Sequence, residues 1–325
     1  MDPHLRALKA AQGGVFTRRQ AVECGYTERQ LKTLTRPGGH WTVLRRGVYA
    51  ETELVEALSD DDRYLLGVHA VAVSTWKTAV ISHTSAAAVH GLPLRPHWYA
   101  LHHVTRPDVL GGRTDNGVTH HRAQLGDVDV VLAAGRRVTS PARTAVDIAR
   151  LHGFTDGVVA ADAALRAGAR RHELVRAVED GRNWPFNTRA RAAVRVADRG
   201  AQTIGETLLR LMVLELRIGV PETQYPISEG GRVAWADLRV GRHLFEFDGR
   251  TKYVERSRGG VAELPVNEVV WREKQREDWM RRAMGGHGVS RVVWSEMFGA
   301  ARERTLRRLR REYDATVARF GRGAA

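Results

Sequence analysis

The sequence predicts a multidomain protein of mixed α+β and α/β class. Its 325 residues exceed the ~100–200 that one domain usually holds. The hydrophobic pattern also changes along the chain, from short paired helices to short strands and then to a strand pair between longer helices. The predicted parts are a helix-turn-helix with a hairpin over 1–52, a mixed α/β domain over 53–152, a helical connector over 153–200, an α/β domain over 201–298 and a basic helix over 299–325.

The first part predicts two capped helices followed by two strands. Thr17 precedes one amphipathic run, and Thr27 precedes the next with Gln30 at the capping-box spacing. Two short strands around a basic turn follow, in residues 41–49. This order is typical of a winged helix-turn-helix, whose second helix enters the DNA major groove, although winged helices also serve as protein-interaction modules. The residues expected to contact DNA are Arg18, Arg19, Thr27, Arg29, Gln30, Lys32, Arg45 and Arg46.

The middle of the chain predicts helices around a small sheet. The predicted helices cover residues 62–75, 82–91 and 140–149, the last with Ser140 as its cap and Pro141 in its first turn. The predicted strands cover residues 99–105, 118–122 and 128–132. Residues 155–200 favour helices throughout, with a linker near 182–187.

The net charge is +14, and the excess is uneven along the chain. Residues 1–50 hold nine Lys and Arg against three Asp and Glu, and residues 299–325 hold eight against three. Nucleic acid is therefore the first partner to consider and an anionic membrane surface the second, although a general preference for arginine would also raise the charge. The arginines of the last helix would either follow phosphates or form a solvated face.

The single cysteine, Cys24, excludes an internal disulfide and a cysteine zinc cluster. The sequence shows no signal-peptide pattern and no apolar run of ~18 residues, so we expect a cytoplasmic protein with no membrane partner. Two histidine pairs lie in predicted strands, His102–His103 and His120–His121. Neighbouring strand residues face opposite ways, so each pair offers one imidazole to a face. Partly buried or surface histidines are the favoured interpretation, and a zinc site with one member of each pair is the alternative.

Three acidic residues near the C-terminus form a pattern suited to phosphodiester chemistry. Asp237 lies on the first strand of a predicted hairpin, while Glu246 and Asp248 end the second strand, where residues two apart share a face. Carboxylates that converge on Mg²⁺ or Mn²⁺ let the metal activate water and neutralise phosphate charge. We therefore expect this trio to bind the metal. Glu206, on the preceding helix, would orient the site.

This region resembles the PD-(D/E)xK nuclease superfamily, and more narrowly the proteins related to the very-short-patch repair (Vsr) endonucleases. The resemblance runs from Gly205 to Trp294 and rests on residues 205–206, 219–224, 237, 246–249, 271–278 and 292–294. It implies a restriction-endonuclease-like fold and a metal-dependent DNA endonuclease. Asp248 stands where the motif has a lysine, so stabilisation of the developing charge passes to Lys252 or Lys274.

The N-terminal region resembles the AbiEi-type antitoxins, the regulatory half of type IV toxin–antitoxin pairs. The resemblance covers about residues 4–150 and rests on residues 14–21, 25–27, 44–49, 81–87, 90–93 and 138–144. It implies DNA binding by the winged helix and repression of an operon. Two functions follow as hypotheses: a DNA endonuclease, or a non-catalytic regulator with a cognate toxin or defence protein as partner. An accessory subunit of a defence or repair complex is a third. The sequence does not fix the oligomeric state.

Overall fold

The computed structural model describes residues 1–75, 78–249, 275–276 and 278–321. The chain forms two compact units, Met1–Ala197 and Asp198–Ala325. Each unit combines helices with a β-sheet, so the mixed α/β multidomain class is as predicted. The first unit contains the first two predicted parts and the predicted connector as far as residue 197, and the second contains the rest of the chain.

The first unit begins with short helices against a three-stranded sheet in the order β1-β3-β2. The helices are α1 (Pro3–Ala11), α2 (Arg18–Glu23) and α3 (Glu28–Leu34), and the strands are β1 (Phe16–Thr17), β2 (Trp41–Arg45) and β3 (Val48–Glu51). Thr17 and Thr27 cap α2 and α3, each with a complete capping box, which confirms the predicted helix starts. The two-residue strand β1 was not predicted.

The core of this segment continues into the middle of the chain. Phe16, Leu31 and Trp41 are buried together between the short helices and the sheet. A second cluster joins Val48 of β3 to Leu66, on a later helix. Residues on both sides of position 52 therefore share this second apolar cluster.

The rest of the first unit packs helices on a six-stranded sheet of order β6-β7-β5-β4-β9-β8. The strands are β4 (Val80–Ile81), β5 (His102–Arg106), β6 (Arg113–Asp115), β7 (Val118–Arg122), β8 (Val130–Ala133) and β9 (Arg136–Thr139). The helices are α4 (Thr52–Ala57), α5 (Asp60–Ser74), α6 (His83–Val89), α7 (Pro141–His152), α8 (Phe154–Arg166), α9 (Arg171–Asp180) and α10 (Asn187–Val196). Strands β5 and β7 pair in parallel, which aligns His103 with Thr119 and Thr105 with His121.

Two local predictions in this unit need correction. Tyr99 and Ala100 belong to a short 3₁₀ helix rather than to the predicted strand, which starts at His102. The predicted linker near 182–187 is a tight connection between α9 and α10 inside the first unit. There the Trp184 ring lies under the guanidinium groups of Arg143 and Arg150, so this connection is packed against α7 rather than separating domains.

The second unit contains a four-stranded sheet of order β10-β11-β12-β13. Its elements are α11 (Ile204–Glu215), β10 (Glu222–Glu229), β11 (Arg232–Val240), β12 (His243–Asp248), β13 (Gly288–Val293) and α12 (Gly299–Phe320). Strands β10, β11 and β12 form an antiparallel meander, and β13 joins β12 in parallel. The predicted strands over 233–240, 243–248 and 289–294 and the helices over 205–216 and 300–320 are confirmed within one or two residues.

Strand β10 was not predicted. Its side chains are mostly exposed or half-buried, with Ile227 the one fully buried residue of the strand, so the apolar alternation that marks a strand is weak. The predicted helix over 267–284 lies mostly outside the described residues, although residues 278–282 are helical. Among the described helices, none is both long and apolar enough to cross a membrane.

Candidate functional site

The predicted acidic residues lie where two strands of the second unit separate. The register of β11 and β12 runs from Val240–His243 to Leu238–Phe245 and stops there. Asp237 is the next residue of β11, and Glu246 is the next residue of β12. Strand β12 continues its parallel pairing with β13 as far as Asp248. We call this point the strand fork, defined by Asp237, Glu246 and Asp248.

The Asp237 side chain forms a hydrogen bond across the strand fork. Its Oδ2 atom accepts a hydrogen bond from the backbone N–H of Phe247 at 2.7 Å. A strand N–H that has left the ladder needs another acceptor, and the carboxylate supplies it. The half-buried Asp237 side chain is thereby fixed across the fork, beside the segment that carries Glu246 and Asp248.

Glu246 is buried and lies between two arginines. Its Oε1 is 3.2 Å from Nη2 of Arg276, and its Oε2 is 3.7 Å from Nη2 of Arg291. Arg291 is the register partner of Glu246 on β13, so the strand pairing brings this second cation to the carboxylate. A buried carboxylate requires such partners, because an isolated ionised group would lose its hydration without compensation.

Glu206 reaches the same region through Gln224. The Glu206 carboxylate is buried and accepts hydrogen bonds from Gln202 N at 2.8 Å, Thr203 Oγ1 at 3.0 Å and Gln224 Nε2 at 3.1 Å. The β10–β11 register passes from Thr223–Leu238 to Tyr225–Ala236, which places Gln224 opposite Asp237. Gln224 has a positive φ of 49°, an uncommon conformation for a residue other than glycine. Gln224 therefore bonds to the helix carboxylate and lies opposite Asp237 in the strand register.

Helix α11 approaches the fork closely because residue 205 is glycine. A Cβ atom at Gly205 would lie 2.1 Å from Cε1 of Phe247. The Phe247 ring thus packs on the start of α11 while its backbone N–H binds Asp237. Phe245 on the same strand face is fully buried, as the predicted apolar face of β12 requires.

The donor set of the fork is suited to a hard cation, since it consists of carboxylate oxygens. The oxygen atoms of the three carboxylates are, however, not all within 4.8 Å of one another in this structure. Among described residues, the groups of three whose ligand atoms all lie within 4.8 Å are His83–His103–His121 and His97–His152–Asp156. A metal at the fork would therefore require Glu246 to change partners. Lys252 and Lys274, proposed to serve the site, lie outside the described residues.

The predicted DNA-contacting residues other than Arg45 divide into three kinds. Arg19, Arg29, Lys32 and Arg46 are exposed. Arg18 forms an ion pair with Glu28 at the start of α3. Thr27 and Gln30 are exposed but bind each other in the α3 capping box, so part of their hydrogen-bonding capacity is used within the helix.

Arg45 differs from its neighbour Arg46. Its guanidinium is partly buried, and this burial lowers the pKa of Arg45 from its usual value, which the Asp115 carboxylate partly opposes. Arg46 lies in the exposed turn before Gly47, whose positive φ of 73° shapes that turn. Arg46 is therefore better placed than Arg45 to meet a phosphate.

The histidine pairs are more buried than expected. His103 and His121 face the same side of the β5–β7 pair, with 3.0 Å between His103 Nδ1 and His121 Nε2. His83 joins them, and its ring stacks on His121 at a centroid distance of 3.7 Å. Sequence reasoning did not select His83, because its contribution depends on the packing of α6 against the sheet.

The comparisons with known proteins give relatives but no described activity. The chain is 30% identical over 264 residues to an uncharacterized protein of Mycobacterium tuberculosis strain CDC 1551, and equally to one of strain H37Rv. The matched region covers 78% of this chain and 88% of each relative. The chain therefore belongs to the same family as these mycobacterial proteins. No protein-family model matches it.

Proposed function

We propose that this protein binds duplex DNA through an N-terminal winged helix-turn-helix and cleaves DNA with a metal-dependent site of the PD-(D/E)xK type in its second unit. The observation that carries the proposal is the strand fork, with Asp237 on one strand end and Glu246 and Asp248 on the other. The order of helix α11, the antiparallel meander and the parallel strand β13 along the chain supports the proposal.

Asp237, Glu246 and Asp248 would hold the Mg²⁺ or Mn²⁺ ion. The ion, when bound, would activate a water and neutralise phosphate charge. Asp237 stays positioned by the Phe247 N–H, and Glu206 supports the fork through Gln224. Arg276 and Arg291 are cations at the fork that are suited to a phosphate as well as to Glu246.

Charge and exposure support DNA binding by the first unit. Helix α3 presents Arg29 and Lys32 on its exposed side while Leu31 anchors it to the core. The exposed Arg46 lies in the turn between β2 and β3, the position of a wing. Side chains at these positions would meet base edges and phosphates.

The first experiment tests cleavage. Supercoiled plasmid, single-stranded DNA and mismatched duplexes are incubated with the full chain in Mg²⁺, Mn²⁺ or EDTA, and nicks are counted on gels. We expect cleavage of at least one substrate with metal, and none in EDTA. Intact DNA under every condition would contradict the enzyme proposal. The variant Glu222→Gln, an exposed acid on β10 that pairs with Arg239, serves as the control and should cleave like the wild type.

The second experiment tests binding separately from cleavage. Fluorescence anisotropy of a labelled duplex is measured in EDTA across a salt series. Lys32→Ala should weaken binding and reduce the salt slope by ~1, the change expected for one lost phosphate contact. Binding that is insensitive to both Lys32→Ala and Arg29→Ala would contradict the proposed DNA face.

A non-catalytic DNA-binding regulator is the second candidate. It is favoured by the partners that the carboxylates already have within the protein. Glu246 pairs with two arginines, and Glu206 accepts hydrogen bonds from three donors. In this case the second unit would serve as a platform for a toxin or defence protein. Asp237→Asn would then leave operator repression in a reporter assay unchanged, and purified protein would cleave no DNA.

A further inference from the structure

We propose that His83, His103 and His121 bind one Zn²⁺ ion in the first unit. The three histidines, which we call the histidine cluster, come from three separate elements: the start of α6, strand β5 and strand β7. Each contributes one ring nitrogen, and these atoms all lie within 4.8 Å of one another. Three neutral imidazoles are a known protein ligand set for zinc, with a water as the fourth ligand.

One of the three ligand–ligand distances is close to that of a bound site. Zinc–nitrogen bonds of ~2.0–2.1 Å place tetrahedral ligand atoms about 3.4 Å apart. His103 Nδ1 and His121 Nε2 are 3.0 Å apart. The His83 ring stacks on the His121 ring at a centroid distance of 3.7 Å with 17° between the ring planes, so the His83 side chain has to rotate out of this stack to share the ion.

The backbone and the surrounding hydroxyls hold the cluster in place. His83 has a φ of 52°, a costly conformation that persists where the surrounding structure enforces it and that is common at functional sites. Its Nδ1 is 3.0 Å from Ser82 Oγ, which also accepts a hydrogen bond from Thr105 Oγ1 at 2.8 Å. Such outer hydrogen bonds orient metal-binding histidines and fix their tautomers.

Burial keeps the imidazoles in the form that binds metals. Desolvation lowers the pKa of His103 to about 3 and that of His121 to about 4, and it lowers the pKa of His83 strongly. Burial thus favours the uncharged imidazole, which is the form that ligates a metal.

The cluster borders a pocket that can supply the fourth ligand. His83 and His121 line a pocket of about 370 Å³ together with Arg143, Asp147, Arg150 and Trp184. The pocket is large enough for several waters. A zinc ion with three protein ligands and an exchangeable water would face this space.

The other histidine group, His97–His152–Asp156, is a weaker candidate. The Asp156 carboxylate already binds Arg95 and also accepts a hydrogen bond from Trp98 Nε1 at 3.0 Å. The His97 side chain is 48% exposed. This group therefore provides an internal comparison for the test.

The test measures metal content and metal geometry in the full chain, with any affinity tag removed. Protein is stripped with chelator, dialysed against Zn²⁺ and analysed by inductively coupled plasma mass spectrometry. A parallel sample is loaded with Co²⁺ and its visible absorption is recorded. We expect about one Zn²⁺ per chain and the intense bands of four-coordinate Co²⁺.

Variants assign the ligands. His121→Ala and His83→Asn should lose stoichiometric zinc and the Co²⁺ bands, whereas His120→Ala, on the same strand but outside the cluster, and His97→Ala should retain both. Ser82→Ala should weaken zinc affinity about 10–100-fold. Circular dichroism checks the folding of each variant. If His121→Ala fails to fold, His121→Gln takes its place.

Two results would overturn the proposal. One is wild-type protein that holds no zinc and gives no four-coordinate Co²⁺ spectrum, which would leave the 3.0 Å contact as a hydrogen bond between imidazoles. The other is zinc that persists in His121→Ala but is lost in His97→Ala, which would place the metal in the other group.

Discussion

The carboxylate of Asp237 accepts the backbone N–H of Phe247 at 2.7 Å, across the point where β11 and β12 separate. This bond replaces the ladder hydrogen bond that an unbroken strand pair would make. It keeps the carboxylate of Asp237 near Glu246 and Asp248 of the next strand, at a point where the two strands are no longer paired. The same carboxylate therefore has a structural and a proposed chemical role, which substitutions can separate.

We predict that Asp237→Ala destabilises the protein more than Asp237→Asn does. Alanine leaves the Phe247 N–H without its acceptor, at a cost of about 1–3 kcal/mol, whereas the amide oxygen of asparagine can still accept. Urea denaturation of the two variants and the wild type measures the difference. Equal stabilities of the two variants would show that the hydrogen bond contributes little.

Arg276→Ala should strengthen metal binding at the fork while slowing cleavage. The arginine lies 3.2 Å from Glu246 and competes with a cation for the same carboxylate. Its loss also removes a charge suited to the scissile phosphate. Binding of Mn²⁺ can be followed by electron paramagnetic resonance and cleavage by a gel assay. Weaker Mn²⁺ binding in the variant would contradict a competing role for Arg276.

The buried arginine of α7 should be critical for the stability of the first unit. Arg143 lies 3.2 Å from Asp129 and 3.0 Å from Asp147, and all three residues are buried. Arg143→Ala removes the guanidinium from the buried Asp129 and leaves Asp147 with Arg150 alone. Removing one partner of a buried ion pair costs about 3–5 kcal/mol. The more exposed Arg150→Ala, which removes one contact to Asp147, should cost less. Thermal and urea unfolding compare them, and similar losses would contradict this assignment.

The second unit should lose stability as the pH falls from 6.5 to 4. Burial, and to a smaller extent Arg281, lowers the pKa of His243 from its ordinary value of 6.5 to about 4. The unfolded chain therefore binds the proton first, so this contribution is complete above pH 6.5 and is lost as the pH approaches 4. It amounts to at most about 3 kcal/mol, at about 1.4 kcal/mol per pKa unit.

The control for this pH dependence is His243→Gln. The imidazole binds Thr316 Oγ1 at 2.6 Å and Ser290 Oγ at 2.8 Å, and a glutamine amide retains some of this hydrogen bonding without titrating. Urea midpoints measured between pH 4 and 7 should vary less steeply in the variant. An unchanged slope would assign the acid sensitivity to other groups.

Much of the fold follows from local sequence. The capping boxes at Thr17 and Thr27 are complete within four residues, and the alternating pattern of β12 requires no distant partner to be recognised. Strand β10 was not predicted because most of its side chains are exposed or half-buried, so its sequence lacks a clear apolar alternation. The parallel pairing of β12 with β13 depends on residues more than 40 positions apart, so it is not visible in any local window.

The acidic residues of the candidate site could be predicted from the sequence, but the arginines beside Glu246 could not. The spacing of Glu246 and Asp248 places them on one strand face, and Asp237 is on the preceding strand. The arginines at Glu246 come from β13 and from a segment after residue 274, positions that only tertiary structure joins. Likewise, His103 and His121 lie on one face because of the strand register. The position of His83 beside them depends on a positive φ that could not be predicted from the sequence.

The most direct measurement of the central claim is the single-turnover cleavage rate of one labelled DNA substrate in Mn²⁺ by wild-type protein, Asp237→Asn and Glu222→Gln. We predict that wild-type protein and Glu222→Gln cleave alike. We predict that Asp237→Asn is slower by at least about 100-fold, the scale of losing one group that stabilises charge in the transition state. Equal rates for Asp237→Asn and the wild type would contradict a metal-dependent site at the strand fork, and so would the absence of cleavage by the wild type.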